Sequence, residues 1–580
     1  MRLRSRYERR RTQAAWDNDR RMLDSRLFES LDVVLGAAHY VPPVSGAEKG
    51  VPMKRRLKGW RVGAVASLVA LAVVALGAGA GQSALGGSSQ SGVLIAGTTD
   101  SVTNIDPAGN YDYGSFALGI NMIEHLYDAK NGAKIQPSLA TGCKPVKTTK
   151  TWRCTLRRGV KFHDGSDFDS ADVKFSFDRV LNKNVIKQAA ANTPSSLLSN
   201  LKSVKTNGKY AVTFNLKSQQ STWTFMLTTG AAGIVPKGVY APNKLQPNNQ
   251  PQIGTGPYRL TRYTPGQQAV FEPFDDYWGP KPKNDGLIIR YYSKSSTMKL
   301  AIERGEIDMA FQTFTPTELT SLGKAKGIRV YQGPGAVIRY LVLNVERPPF
   351  NNLAVRRALA YMMPRQAIAT RVYRGTVKPL YSMPPAGLPG HIDAFAARYG
   401  KSPSPTKAKA ALRAAGLQTP FPIEVWWTPT HYGDASADEY AEMKRGLERN
   451  GVFKVTLKSS EWAQYSSVLG NQYNAFQLGW FPDYADPENY VLSFYQEGNF
   501  TENGYKSARM TKLLNQELAA TTTAKRLAII RQIQKLAATD VPIIPYWQSN
   551  MIAVGRSNVR GIPSTLDPAF IMRYWKISKS

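Results

Sequence analysis

An α/β fold of more than one domain is what this sequence predicts, on three observations. At 580 residues the chain is too long for one hydrophobic core. Its 42% hydrophobic and 10% aromatic residues mark a folded chain, not a disordered one. Strand-like and helix-like patterns also alternate along it, which argues α/β.

The elements follow in order. GVLIAGTTD at 92–100 reads as a buried strand ending in a polar turn. TWRCTLRRGVKFHDG reads as strand, turn, strand, closing at Asp164 and Gly165. DSADVKFSFDRVL opens on a capping Asp or Ser and continues as a helix. KYAVTFNLK at 209–217 alternates as a half-buried strand does. STMKLAIERGEIDMAF at 296–311 reads as a helix that Gly305 ends before a strand. NNLAVRRALAYMM and TKAKAALRAAGL are further helices, and FPIEVWWTP and FKVTLKSS are strands flanking the helix ADEYAEMKRGLERNG. IGTGPY at 253–258 lacks the Lys-Ser/Thr of a phosphate loop, so its glycines are expected to make a tight crossover.

The N-terminal region speaks of export. MKRRLKGWR at 53–61 is a basic stretch before the uncharged apolar run Val62 to Ala80, and small residues at Ala78, Gly79 and Ala80 offer a cleavage site. Residues 53–80 are thus a signal peptide or an uncleaved anchor, and 81–91 a Gly/Ser linker. The basic flank puts the rest of the chain outside the membrane. Met53 reads as a natural start, which makes 1–52 either a start-site artefact or a cytoplasmic extension.

Cys143 and Cys154 are the two cysteines. They flank KPVKTTKTWR, whose middle, KTTKT, looks like a turn between two strands. Opposed on such a hairpin they can meet disulfide geometry, a bridge that would contribute roughly 3 kcal/mol and imply an oxidising compartment. The alternative is two buried thiols. The net charge of +33 is scattered and forms no arms or repeated fingers, so a solvated surface near an anionic envelope is expected, not a nucleic-acid partner. The five histidines, His39, His125, His163, His391 and His431, are dispersed, with neither HExxH nor GxSxG. No catalytic residue, metal site or cofactor is expected.

KFHDGSDFDSADVKFSFDRV at 161–180 resembles the signature region of the family-5 extracellular solute-binding proteins, the peptide- and oligopeptide-binding components of ABC importers. In the expected order stand IDPA (105–108), QPSLA (136–140), IGTGPYRL (253–260), AIERGEIDMA (301–310), LNVERPPFNNLAVRRALAYMM (343–363) and GWFPDYADPENY (479–490). The resemblance implies a periplasmic-binding-protein-like (type II) fold with two hinged lobes in a three-domain variant. Domain I would comprise 92–122, 255–339 and 541–580, domain II 123–254 and domain III 340–540. It implies a short peptide as ligand, ABC permease membrane subunits as partners, a monomer, and an extracytoplasmic location, membrane-associated if the N-terminal segment is uncleaved. Other readings keep the fold with an oligosaccharide, an opine or another cationic solute, or make the chain a basic envelope or nucleic-acid-binding protein.

Peptide binders must neutralise a ligand ammonium inside a cleft, because an unpaired buried cation is costly. The resemblance assigns that task to Asp483, with Trp480 walling the pocket and Phe481 and Tyr484 beside it. Asp486, before Pro487, is expected to build a turn, and Glu488 to be solvated or near a helix start. Ser101 and Thr103 lie where family members offer backbone to the ligand as an added strand. Of Trp426, Trp427 and Trp462, Trp427 is the candidate for the cleft, and Tyr546 and Trp547 are expected near the hinge.

Overall fold

Two long antiparallel strands, Ile328–Leu343 and Ile543–Arg556, form the spine of the molecule in this computed structural model. It describes residues 92–580 apart from 131–133, 191–192, 312–313, 430, 433–434, 567 and 569–570; the expected extension, signal or anchor, and linker of residues 1–91 lie outside the described residues. The spine pairs from Ile328 opposite Arg556 to Pro334 opposite Asn550, slips across Gly335 to Val337, and resumes at Ile338 opposite Gln548. Each half of the spine carries its own strands. Ile338–Leu343 takes on Ala475–Trp480, beyond which lie Phe421–Trp427 and Phe453–Ser459, parallel to each other. The other half passes through Met309–Phe311 to Val93–Thr98, then Gly286–Tyr291, Gln268–Pro273 and Tyr258–Thr264.

Each group buries its own apolar side. Leu94, Ala96, Tyr258, Phe271 and Met551 share one core, and Leu341, Leu343, Val425, Tyr440 and Tyr546 share another. A further cluster between Ala108 and Ile234 packs around a four-stranded sheet that includes Ala140–Val146 and Thr148–Leu156. Two α/β lobes joined by a strand pair are the type II binding-protein architecture. A register slip in a two-strand connection is where rotation costs least, since the skipped residues give up no ladder hydrogen bonds. No helix among the described residues is long and apolar enough to cross a membrane.

Local sequence accounts for many element ends. Asp169 and Asp172 form a reciprocal capping box on the helix Ser170–Val180. Gly305 takes the left-handed conformation after Ser295–Arg304, with φ of 78°, and the chain turns into Met309–Phe311. Ala211–Leu216 alternates buried with half-buried residues as read. The glycines of IGTGPY make a tight crossover: a Cβ on Gly254 would meet the Met122 carbonyl oxygen at 2.1 Å, and Gly256 donates its amide to that oxygen.

Two readings need correction. The hairpin turn centres on Lys147, with strand resuming at Thr148, so KTTKT is mostly strand. The strand expected before Asp164 shrinks to one bridge, Lys161 opposite Asp167, because the hairpin's partner at Thr148–Leu156 is the neighbouring strand Ala211–Leu216. Cys143 and Cys154 sit directly opposite and are joined as a disulfide.

The IDPA motif owes its place to a buried ion pair. Both Asp106 oxygens receive the Arg179 guanidinium, at 2.9 and 2.6 Å, as well as the amides of Ala108 and Gln246. Arg179 also donates to the carbonyls of Ala241 and Lys244. Removing one member of such a pair strands the other charge in the interior. Arg179→Ala should therefore cost about 3–5 kcal/mol in denaturant unfolding, and Asp106→Asn on top of it should add much less than it costs alone. A single-variant loss under about 1 kcal/mol would contradict this.

Candidate functional site

The strand Ala475–Trp480 ends where the two lobes meet, and the loop after it is tied down at several points. Asp486 caps the short helix Pro487–Tyr490 by accepting the Glu488 amide. That helix presents Asn489 back to the loop. Its Oδ1 accepts from Trp480 Nε1 at 2.9 Å and from the Asp483 amide at 3.2 Å, and its Nδ2 donates to Asp483 Oδ2 at 3.1 Å. The Trp480 ring packs on Phe494 and Phe500, with centroids 5.2 and 5.4 Å away. Trp480 and Asp483 are thus fixed by one side chain.

The Asp483 carboxylate reaches the other lobe. Its Oδ1 accepts from the Tyr111 hydroxyl at 2.9 Å, and Tyr111 follows the Pro107–Gly109 turn. Among the described residues no Lys, Arg or His pairs with Asp483. Asp483 keeps partial exposure as a residue, yet the protein around its carboxyl pushes the pKa up, against the lowering by Asn489 and Tyr111. The group is therefore an acid at a lobe–lobe contact, hydrogen-bonded only to neutral partners.

Beneath it lies a second, more acidic group. Arg526 donates to Asp486 at 2.8 and 2.5 Å and to Glu517 at 2.9 Å. Tyr484 donates its hydroxyl to Glu488, its ring lies 6.4 Å from Phe225, and it packs against the first lobe's cluster. Glu517 accepts from Ser221, and Thr149 donates to the Leu518 carbonyl at 3.0 Å. Burial, followed by the charge of Glu517, pushes Glu488 up. Burial likewise raises Glu517 against the opposing pull of Arg526. The expectation of a solvated Glu488 is therefore corrected: it starts a short helix but is buried, because its carboxyl finds the Tyr484 hydroxyl inside. Asp486 is more than a turn residue, since its carboxylate anchors the loop to Arg526.

The other candidates separate. Phe481 stands at the site and is 59% exposed. Ser101 and Thr103 are exposed, and the Thr103 hydroxyl is engaged by Asp112. Trp427, the cleft candidate of the three, lies at the edge of a core. It shares the strand face of Ile423 and Val425, is half-buried, and packs against that core, stacked on Tyr440 at 5.4 Å and 9°. Trp426 stacks on Tyr473 and Trp462 on His431. Tyr546 and Trp547 are buried beside the resumed end of the spine ladder and both donate to Glu439. His125 and His163 are enclosed, and burial pushes each down to about 4, so both are neutral at pH 7. Sequence reading missed Tyr111, Asn489 and Arg339. Only Arg339 left a signal, as a lone charge in the apolar run AVIRYLVL.

Residues 134–502 match the model of the bacterial extracellular solute-binding proteins, family 5. The chain belongs to this family. This family-5 protein is 26% identical over 477 residues to a dipeptide-binding protein of Escherichia coli, covering 77% of this chain and 87% of that one. It is 27% identical over 487 residues to a di/tripeptide-binding protein of Pseudomonas aeruginosa, covering 79% and 90%. Among solved structures, a periplasmic binding protein from Helicobacter pylori in complex with the peptide STSA aligns with a TM-score of 0.66 at 24% identity, over 84% of this chain and 98% of that one. A Haemophilus parasuis protein, HbpA2, aligns with a TM-score of 0.75 at 21% identity, over 84% and 100%.

The acid group makes a prediction about pH. Glu488 is raised from the ordinary 4.5, so the folded state holds its proton over a range where the unfolded chain has lost it. Stability from this group is full below about 4.5 and is lost as pH rises through the raised folded value. The thermal midpoint of Glu488→Gln relative to wild type should therefore rise as pH goes from about 5 to 8, as the Glu488 contribution to the wild type is lost. A variant–wild-type difference that does not change with pH would contradict the assignment.

Proposed function

We propose that this protein is an extracytoplasmic receptor that captures short peptides between its two lobes and delivers them to the membrane subunits of an ABC importer. The observation that carries the reading is Asp483: a carboxylate at the lobe contact, desolvated, held in place by Asn489, and paired with no cation among the described residues. A peptide ammonium supplies the missing charge, and the Trp480 wall excludes water around it. The relatives named above for dipeptides and di- or tripeptides support the same ligand class.

In this reading the lobes close by rotation about the slipped spine, and Tyr111 and Asp483 meet when they do. Domain I takes 92–122, 255–339 and 541–580, domain II 123–254 and domain III 340–540. Phe481 and Tyr484 flank the ligand end, and the exposed Ser101–Thr103 segment offers main chain along its length. Residues 53–80 direct export, as a cleaved signal or a retained anchor. The receptor acts as a monomer, without cofactor or catalysis.

Calorimetry with matched peptides tests the ammonium role. Asp483→Asn should weaken a peptide with a free amino terminus by about thirtyfold or more, and leave the weak binding of its acetylated form nearly unchanged. Equal losses for the two peptides would refute it.

A further inference from the structure

One face of the four-stranded sheet carries a single sign of charge. Its strands run in the order Ala140–Val146, Thr148–Leu156, Ala211–Leu216 and Leu201–Thr206. Trp152, Cys154, Val204, Val212 and Phe214 point into the core cluster, so strand alternation turns Lys144, Arg153, Thr213 and Lys205 to the other side. The register sets these four in one row: Lys144 opposite Arg153, Arg153 opposite Thr213, and Thr213 opposite Lys205. The three basic members of the row are exposed, and so are Lys147, Lys150 and Lys202 on the same sheet and its turn.

No acid balances them. The four strands hold five Lys or Arg and no Asp or Glu, and no acid occurs from Ala129 to His163 or from Arg179 to Phe271. None of the six forms an ion pair among the described residues, although nearby Lys161 and Lys209 both pair with Asp167, and Lys174 with Asp178. Like charges directly opposite on a sheet repel, so Lys144 against Arg153 destabilises the hairpin. The disulfide on the adjoining rung, Cys143 to Cys154, holds the two strands together against that repulsion. The turn is unfavourable too: Lys147 has φ of 64°, a conformation that suits Gly or Asn better. Neither choice helps the fold, and both place positive charge on the surface.

The hairpin tip adds an apolar side chain. Val146, between Lys144 and Lys147 in space-filling reach of solvent, is 42% exposed, one of three large apolar side chains so exposed among the described residues. Phe481, another of the three, belongs to the ligand site. A soluble polyanion asks only for positive charge, whereas a lipid surface also takes up an apolar tip. The basic face and the valine together match a bilayer.

We infer that this sheet face docks the protein on a lipid bilayer bearing anionic headgroups, with the Val146 tip entering the interface. Each Lys or Arg near such a surface strengthens binding by about fivefold, and the attraction fades within a Debye length. The inference is independent of the peptide reading and goes beyond it: docking through this face holds the receptor at the membrane whether or not residues 53–80 stay attached.

Amide hydrogen exchange on the full chain tests it, because the readout is local to residues 144–150 and does not register attachment through the N-terminal region. Vesicles of phosphatidylcholine alone are compared with vesicles containing about one-third phosphatidylglycerol. Exchange at 144–150 should slow severalfold on the anionic vesicles only, and salt raised to about 0.5 M should remove the effect. The combined variant Lys144→Gln, Arg153→Gln and Lys205→Gln should lose the protection, with a thermal midpoint no lower than that of wild type, since a repulsive pair is gone. Val146→Ser should lose most of it. Protection that survives in the triple variant, is equal on both kinds of vesicle, or is absent from both overturns the inference. Should the triple variant misfold, the salt dependence and Val146→Ser decide. Dissolved polyphosphate that slows exchange as strongly as the vesicles, with no response to Val146→Ser, assigns the face to a soluble polyanion and overturns the bilayer.

Discussion

A charge removed from water must meet an opposite charge or a full set of hydrogen bonds, and the region around Asp483 is organised by that constraint. The chain spends much structure on holding this one carboxylate still. Asn489 clamps it to Trp480, Asp486 fixes the loop to Arg526, and Tyr111 reaches it from the opposite lobe. None of these partners brings a positive charge to Asp483. The acids beneath it meet the same problem differently: Asp486 and Glu517 share Arg526, and burial raises Glu488 and Glu517 toward the neutral form.

The spine explains how such a site can open. Two strands carry the connection between the lobes at the slipped register, and each lobe has its own core, so a rotation there disturbs little packing. The contacts that span the lobes include single hydrogen bonds and tilted ring pairs, such as Thr149 to Leu518 and Phe225 to Tyr484. Each of these is individually weak, whereas Asp106 with Arg179 ties elements within one lobe.

Much of the fold was legible because local rules dominate it. The capping box at Asp169, the left-handed Gly305 and the alternation of Ala211–Leu216 are decided by neighbours in sequence. The opposed cysteines were readable for the same reason. The failures were long-range. Local spacing does not announce that Trp427 stacks on Tyr440, or that Glu488, at its expected helix start, is buried under the Tyr484 hydroxyl. Tyr111 stands 372 residues from Asp483, a pairing no spacing could announce. Arg339 was visible as an oddity in an apolar strand, but the rings its guanidinium faces, Tyr432, Phe481 and Trp547, come from three separate segments.

A crystal structure with a bound zwitterionic dipeptide tests the central claim most directly. The account predicts the ligand enclosed between the lobes, its ammonium within about 3 Å of the Asp483 carboxylate. A ligand seated elsewhere, or an ammonium neutralised by another acid while Asp483 keeps only Tyr111 and Asn489, would contradict it.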